Sequence, residues 1–224
     1  MPAFAHAVAL GYRYVETDVH VTTDGVLLAF HDDILDRVTD RTGTINELPW
    51  SAVREAKVDG REPIPLLEDL LGTWPDLRVN IDPKHDGAVD ALVAALRRTN
   101  AVDRVCIGAF SDERLARVRA ALPSVCTSLG PIGTLQLGLA AQGNDVPELG
   151  APAVQVPTHY QDSEVVTPAF VDEAHRRGMH VHVWTIDVEA EMTRLLDLGV
   201  DGIMTDRPRV LRDVLERRRS WVDT

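Results

Sequence analysis

The 224-residue chain is poor in several residue types, and each scarcity excludes a class of protein. Its two cysteines, Cys106 and Cys126, lie in strand-like runs, so we expect buried free thiols rather than a disulfide framework or a thiolate metal site. Basic residues number 23 against 35 acidic ones, and the formal charge of −12 argues against nucleic-acid binding and against adhesion to anionic membranes. No apolar run approaches the ~20 residues of a membrane span, so we expect no stable membrane insertion.

What the sequence does contain is a regular alternation of strand and helix patterns. Counting a strand at 13–19, seven strands are predicted, each followed by a helix or by a longer excursion; the other six lie at 77–82, 104–109, 125–129, 152–156, 180–185 and 201–204. Such alternation predicts parallel strands with helices outside them. The fold class predicted is therefore α/β, a single domain of the TIM (β/α)8 barrel type, one strand short of the eight that close such a barrel.

The strand at 13–19 carries the first candidate site. Glu16 and Asp18 are two residues apart, so their side chains point to the same face, about 6–7 Å from each other. Two carboxylates this close repel each other unless a cation lies between them, and a hard divalent ion suits oxygen ligands. An exposed edge strand with a polar face is the alternative.

A second candidate follows the turn signal Asp24-Gly25. His31-Asp32 ends the apolar run from Val26 to Phe30. A histidine at the end of a buried strand, near paired carboxylates, is a candidate general acid or base. A purely structural histidine is the alternative.

Together these segments resemble the glycerophosphodiester phosphodiesterase family. The shared motifs occur in family order along nearly the whole chain: Glu16-Thr17-Asp18-Val19, Thr22-Thr23-Asp24-Gly25, His31-Asp32, Leu35-Asp36-Arg37-Val38-Thr39-Asp40 with Gly43, Asn80-Ile81-Asp82-Pro83-Lys84, Val183-Trp184-Thr185-Ile186-Asp187 and the run from Gly199 to Pro208. The resemblance implies a metal-dependent hydrolase that cleaves small glycerophosphodiesters to glycerol 3-phosphate and an alcohol. It also implies that residues 32–65 form an excursion over one mouth of the domain.

The resemblance assigns roles to six residues. Glu16, Asp18 and Asp82 would bind one divalent cation, Mg²⁺ or Ca²⁺, although the third ligand is more often glutamate in the family. Lys84 would meet a phosphate oxygen, Trp184 would wall the glycerol pocket, and His31 would be one of two histidines that move protons. From the residues alone, Asp82 could instead cap a loop before Pro83, Lys84 could be a solvated surface lysine, and Trp184 could belong to the core. His180 and His182, which share the parity of Trp184, are expected to be buried and hydrogen-bonded.

The resemblance also predicts a segment that the sequence does not contain. Family members begin with a strand ending in His-Arg-Gly and a Pro-Glu-Asn-Thr turn, whereas this chain opens on a predicted helix at 3–11. We therefore expect an N-terminally truncated barrel that lacks the second histidine. The alternative function is a catalytically impaired barrel that binds a phosphorylated ligand. No signal peptide is visible, so a cytoplasmic location is expected, although the missing start could hide one.

Overall fold

The computed structural model describes residues 1–221; residues 222–224, the end of the predicted domain, lie outside the described residues. The described residues group into two compact units. The first contains Met1–Val8 and Tyr12–Cys126, and the second contains Ala9–Gly11 and the residues from Thr127 onward. Each unit is described by itself.

The helices and strands follow the predicted alternation. The helices are α1 (Pro2–Ala9), α2 (Trp50–Val53), α3 (Leu67–Thr73), α4 (Ala88–Arg98), α5 (Asp112–Ala121), α6 (Pro131–Ala141), α7 (Pro168–Arg176), α8 (Glu189–Leu198) and α9 (Pro208–Arg217). The strands are β1 (Tyr14–Val21), β2 (Leu27–Ala29), β3 (Lys57–Val58), β4 (Glu62–Pro63), β5 (Arg78–Pro83), β6 (Val105–Ile107), β7 (Cys126–Thr127), β8 (Ala153–Val156), β9 (His159–Tyr160), β10 (Ser163–Glu164), β11 (His180–Val183) and β12 (Gly202–Ile203).

A five-stranded sheet organises the first unit, in the order β2-β1-β5-β6-β7. Strand β1 pairs in parallel with β5, which places Asp18 directly opposite Asp82. On its other side β1 pairs antiparallel with β2. The turn between them contains Gly25 at φ 85°, a left-handed conformation that favours glycine and confirms the turn predicted at Asp24-Gly25.

Two separate apolar clusters stabilise the first unit. The main cluster packs the buried faces of β1, β5 and β6 against α3, α4 and α5, with Phe4 and Val8 of α1 at its edge. A smaller cluster belongs largely to the segment 32–65 and includes Leu35, Ile45 and Val53. The segment predicted as an excursion is therefore folded on a second core, which it shares with Leu28 of β2.

Local capping signals set several helix ends as the sequence predicts. Ser111 caps α5 by accepting a hydrogen bond from the backbone N–H of Arg114. Thr167 caps α7 in the same way, with Pro168 in the first turn. Gly199 ends α8 in the left-handed conformation, at φ 98°. These ends need no tertiary information, because each depends on a residue with a strong local preference.

The second unit contains a parallel sheet in the order β12-β11-β8. Its strands are short, and alternate residues such as Val181 and Val183 of β11 are fully buried. The expectation for the histidines of β11 is wrong for His180, whose side chain is 68% exposed, because it stands at the first residue of the strand. His182 is half-buried, with its Nδ1 3.3 Å from Nε2 of Gln155.

Two absences predicted from composition can be compared with the structure. Across residues 1–221, none of the helices combines the length and apolar character needed to cross a bilayer. Cys106 and Cys126 form no disulfide, as predicted, but both residues are half-buried rather than buried. A hydrogen bond to Cys126, together with burial, raises the pKa of the Cys106 thiol.

Candidate active site

The β1–β2 hairpin brings His31 back to Asp18. Because β2 runs antiparallel to β1, with Ala29 opposite Val19, the chain leaving β2 passes Asp18. The N–H of Phe30 donates to the carbonyl oxygen of Asp18 at 2.9 Å. His31 Nε2 consequently lies 4.0 Å from Asp18 Oδ2, although the two residues are thirteen positions apart in the sequence.

Strand β5 brings two further predicted residues to the same point. The Lys84 ammonium lies 2.6 Å from Asp18 Oδ1 and 3.0 Å from Asp82 Oδ2. The side chains of Asp18 and Asp82 are 9% and 14% exposed, so the ammonium bridges two largely buried carboxylates. The predicted set of Asp18, His31, Asp82 and Lys84 is thus assembled within the first unit.

The pKa shifts of Asp82 and Lys84 show how the positive charge of Lys84 is balanced by the two carboxylates. Burial raises the pKa of Asp82, because loss of hydration outweighs the lowering effect of the nearby Lys84 charge. Burial would lower the pKa of Lys84, but the hydrogen bond to Asp18 and the attraction of Asp82 raise it overall. Lys84 therefore stays charged, whereas Asp82 is a carboxylate that one ammonium does not fully compensate.

Asp32 and Arg37 fix the orientation of the His31 ring. Nδ1 of His31 lies 2.7 Å from Asp32 Oδ1, and the Arg37 guanidinium donates to both Asp32 oxygens at 2.6 and 2.7 Å. The hydrogen bond from Arg37 is the main reason that the pKa of Asp32 falls to about 2. An ionised carboxylate only accepts hydrogen bonds, so Nδ1 carries the hydrogen and Nε2 of His31 is left to exchange a proton.

His20 holds the same segment from inside the sheet. It is buried, and its Nε2 lies 3.1 Å from the carbonyl oxygen of His31. Since a carbonyl can only accept, the Nε2 of His20 is the donor. Burial lowers the pKa of His20, which agrees with a neutral ring whose single N–H is committed to the backbone.

Trp184, the remaining substrate-binding prediction, lies in the second unit. It directly follows β11 and is half-buried, and its N–H donates to the carbonyl of Val156 at 3.2 Å. Asp187 fixes the loop that follows Trp184, because its Oδ1 accepts from Thr205 Oγ1 at 2.8 Å and from the Asp206 N–H at 2.9 Å. Within this unit, two of the motif segments found in the sequence therefore meet at Asp187.

Comparison with known proteins identifies the family. The model of the glycerophosphoryl diester phosphodiesterase family matches residues 1–210. The chain belongs to this family. A probable glycerophosphodiester phosphodiesterase 2 from Mycobacterium tuberculosis is 41% identical over 99% of this chain and 86% of that protein.

Solved structures of other family members have the same fold. A putative glycerophosphoryl diester phosphodiesterase from Silicibacter pomeroyi matches with a TM-score of 0.82 and 23% identity, over 98% of this chain and 88% of that one. A phosphodiesterase from Oleispira antarctica, solved with sn-glycerol-3-phosphate, matches with a TM-score of 0.75 and 19% identity, over 96% and 90% of the two chains. These neighbours are TIM-type barrels, so the predicted fold class is confirmed.

The glycerophosphoryl diester phosphodiesterase family generally depends on a divalent metal, and part of the predicted ligand set fits one. Asp82 Oδ1 is buried and has no hydrogen-bond partner within residues 1–221, as a carboxylate built to bind a hard cation would. Asp18 supplies a second set of oxygens opposite it. Glu16 lies on β1, opposite Asn80, and is exposed. In the described part of the chain, no group of three or more His, Cys, Asp or Glu side chains is close enough to hold a metal.

Sequence reasoning missed the residues that support this site. Arg37 belongs to the motif that runs from Leu35 to Asp40. Its contact with Asp32, five residues earlier, depends on the turn after β2 and does not follow from a helix or strand period. Arg114 was missed as well: it donates to the carbonyl of Pro83 at 2.8 Å and to Asp86 at 2.9 Å, which fixes the turn that carries Lys84. Arg114 lies in the first turn of α5, which follows β6 and not the motif-bearing β5, so no spacing in the sequence connects it with Lys84.

Proposed function

We propose that this family member hydrolyses glycerophosphodiesters to glycerol 3-phosphate and an alcohol, with a divalent cation bound by Asp18 and Asp82 and with Glu16 as the third ligand. The observation that carries the proposal is the convergence of two largely buried carboxylates on neighbouring strands with one ammonium and one oriented imidazole. Active residues of barrels of this type lie at the carboxyl ends of strands.

Each residue contributes a separate part of the chemistry. Lys84 supplies a positive charge for a phosphate oxygen. His31, held by Asp32, uses Nε2 to take a proton from the attacking hydroxyl or water, or to give one to the departing alcohol. When bound, a divalent cation would polarise the phosphoryl group and offset the charge that develops on it. The half-buried ring of Trp184 is proposed as a wall for the glycerol moiety.

Product analysis tests the reaction. The purified chain is incubated with glycerophosphocholine, glycerophosphoethanolamine and glycerophosphoglycerol, after removal of metals and readdition of Mg²⁺ or Ca²⁺. We expect glycerol 3-phosphate together with the free alcohol, because the glycerol side of the phosphate is held by the site. Release of glycerol together with phosphocholine or phosphoethanolamine would contradict the assignment of the bond that breaks.

Calorimetry tests the ligand set separately from turnover. The parent is expected to bind one divalent ion, and the combined variant Glu16→Gln, Asp18→Asn, Asp82→Asn is expected to bind none. The matched control, Glu55→Gln, Asp59→Asn, Glu62→Gln, removes three exposed carboxylates of the excursion and should titrate like the parent. Equal binding by all three proteins would show that the cation binds elsewhere.

The alternative of a phosphorylated-ligand binder makes a different prediction. In that case, the chain would bind glycerol 3-phosphate in the same calorimeter but release no product from any of the three diesters, even with a cation present.

A further inference from the structure

Lys84 occupies an unusual position for a residue that is expected to bind phosphate. Its ammonium lies 2.6 Å from one oxygen of Asp18 and 3.0 Å from one oxygen of Asp82. These two residues are also the ones that fit a divalent cation. The ammonium contacts one oxygen of each carboxylate and leaves Asp82 Oδ1 without a partner within residues 1–221. A divalent ion bound to these residues would therefore lie beside the ammonium and share the same two negative charges, and the two cations would repel each other.

The backbone of Lys84 is held by hydrogen bonds, whereas its long side chain is partly exposed. Its N–H donates to the carbonyl of Val19 at 3.2 Å, and Arg114 and Arg117 hold the following turn through Pro83 and Asp86. The side chain is 30% exposed, and its four-carbon stem can place the ammonium at more than one point. The ammonium can therefore leave the carboxylates without any movement of the strand.

We propose that Lys84 is an exchangeable counter-cation that sets the affinity of Asp18 and Asp82 for the divalent ion. Binding of the ion displaces the ammonium from the two carboxylates and makes it available to the phosphate of the substrate. Cation binding and phosphate binding then strengthen each other, and by linkage they do so by the same factor. This inference rests on the cation site of the proposed function.

Two simpler roles for Lys84 predict other behaviour. As a permanent phosphate ligand only, Lys84 would leave the cation affinity unchanged when it is removed. As a structural ion pair only, its removal would destabilise the site and weaken cation binding. Of the three roles, only exchange predicts that the cation binds more tightly when the ammonium is lost, because a competing positive charge has been removed from Asp18 and Asp82.

The chain offers a matched control, because its lysines are Lys57 and Lys84. Lys84→Met keeps the length of the side chain and removes the charge, and Lys57→Met makes the same change in net charge within the excursion. Lys84→Gln is a second variant in case the methionine variant does not fold, and circular dichroism checks all of them. Each protein is titrated calorimetrically with Mg²⁺ alone, with Ca²⁺ alone, and then with glycerol 3-phosphate at a saturating concentration of cation.

Both Lys84 variants are expected to bind the cation about tenfold more tightly than the parent, a coupling of ordinary size, and Lys57→Met is expected to bind it as the parent does. In the parent, saturating cation should tighten glycerol 3-phosphate binding by a similar factor, and this enhancement should be lost in the Lys84 variants. Unchanged or weaker cation binding in Lys84→Met and Lys84→Gln would overturn the exchange.

Turnover of glycerophosphocholine, measured on the same parent preparation, judges the proposed function independently. A parent that binds the cation without releasing glycerol 3-phosphate contradicts the function, while the titrations still decide the exchange. If the parent binds the cation too weakly to be titrated but the Lys84 variants bind it, the exchange is supported. Absence of binding in all of the proteins overturns it.

Discussion

Within residues 1–221, each unit contains a histidine–aspartate cluster, and the two clusters serve different purposes. In the first unit, Asp32 accepts from His31 at 2.7 Å. In the second unit, Asp201 lies 2.9 Å from Nε2 of His175 and 3.4 Å from Nδ1 of His180. The pairs use the same functional groups at similar distances, so the pair alone does not mark a catalytic group.

The position along the strands distinguishes them. His31 follows the carboxyl end of β2 and presents Nε2 toward Asp18 at 4.0 Å. Asp201 stands just before β12 and accepts from the backbone N–H of Val181 at 2.8 Å, so it joins α7, β11 and the start of β12. A histidine–carboxylate pair serves chemistry when it points a ring nitrogen at other reactive groups, and it serves stability when the carboxylate is tied to the backbone.

The largest expected difference follows from removing the two histidines. His31→Ala should lower kcat by about 10²–10⁴-fold, the range for loss of a general acid or base, with little change in the free energy of unfolding because the side chain is 74% exposed. His180→Ala is the matched variant of the other cluster and should retain parental kcat. Steady-state kinetics with glycerophosphocholine and urea unfolding measure the two quantities. Parental turnover by His31→Ala would place the proton transfer on another residue.

Asp32→Asn tests whether the carboxylate positions the ring. We expect kcat to fall about 10–100-fold, as for partners that orient functional histidines, with KM nearly unchanged, because substrate contacts remain. Asp33→Asn removes the same charge from the next, exposed residue and serves as the control. Among variants of Arg37, which donates to Asp32, Arg37→Lys should retain a higher kcat than Arg37→Gln. Equal losses in Asp32→Asn and Asp33→Asn would mean that only net charge matters.

Asp201→Asn should change stability and leave chemistry alone. Loss of the ionised acceptor weakens the hydrogen bonds from Val181 and the two histidines, so the free energy of unfolding should fall by about 1–3 kcal/mol. Urea denaturation measures this fall, and kcat for glycerophosphocholine should stay at the parental value. A variant with parental stability and reduced kcat would reverse the roles that we assign to the two clusters.

The smallest expected effect is the pH dependence of the stability that Asp32 and Asp201 contribute, and it gives the sharpest comparison of the two clusters. Both pKa values are lowered by folding. For Asp201, burial opposes the shift, but the Val181 N–H and the histidines outweigh it; for Asp32, Arg37 is the main cause and the pKa falls to about 2. A depressed carboxyl pKa gives stability that is complete above the unfolded value of about 3.9 and is lost as the pH falls toward the folded value.

Urea unfolding of the parent, Asp32→Asn and Asp201→Asn between pH 7 and pH 2.5 measures this dependence. The stability difference between parent and variant should be constant above about pH 4.5 and shrink at lower pH. For Asp32, whose pKa falls to about 2, the difference should still be shrinking at pH 2.5. A difference that grows on acidification would have the wrong sign for either cluster.

Much of this architecture is predictable from the sequence because the signals are local. Helix α6 begins at Pro131, a residue favoured at the first helical position, and the caps at Ser111 and Thr167 occur where short-range chemistry requires them. Strand ends are less well predicted: β1 extends to Val21, two residues beyond the expected end at residue 19, because the pairing with β2 prolongs it. That pairing is tertiary information, which residue preferences do not contain.

The candidate site also has a part that the sequence predicts and a part that depends on tertiary structure. Alternation along β1 and the motifs of the family were enough to select Asp18, Asp82, Lys84 and His31, which the structure brings together. The sequence could not predict that Lys84 would bridge the carboxylates, since that depends on the register of β1 and β5. It also could not predict that His180 is exposed, because parity along a strand does not show where the strand begins.

The hairpin turn has a consequence for exchanging parts between relatives. Asp24 Oδ1 accepts both from Thr22 Oγ1, at 2.6 Å, and from the N–H of Trp50, at 2.8 Å, so one carboxylate oxygen joins the turn to the first residue of α2. The segment 32–65 is therefore not a structurally independent unit, because Asp24 outside it holds the backbone of Trp50 inside it. A chimera that aims to transfer the head-group preference of another family member should place its crossover points within β1 and just before α3, so that turn and excursion are inherited together. Crossovers at residues 32 and 65 would separate Asp24 from the backbone that it holds.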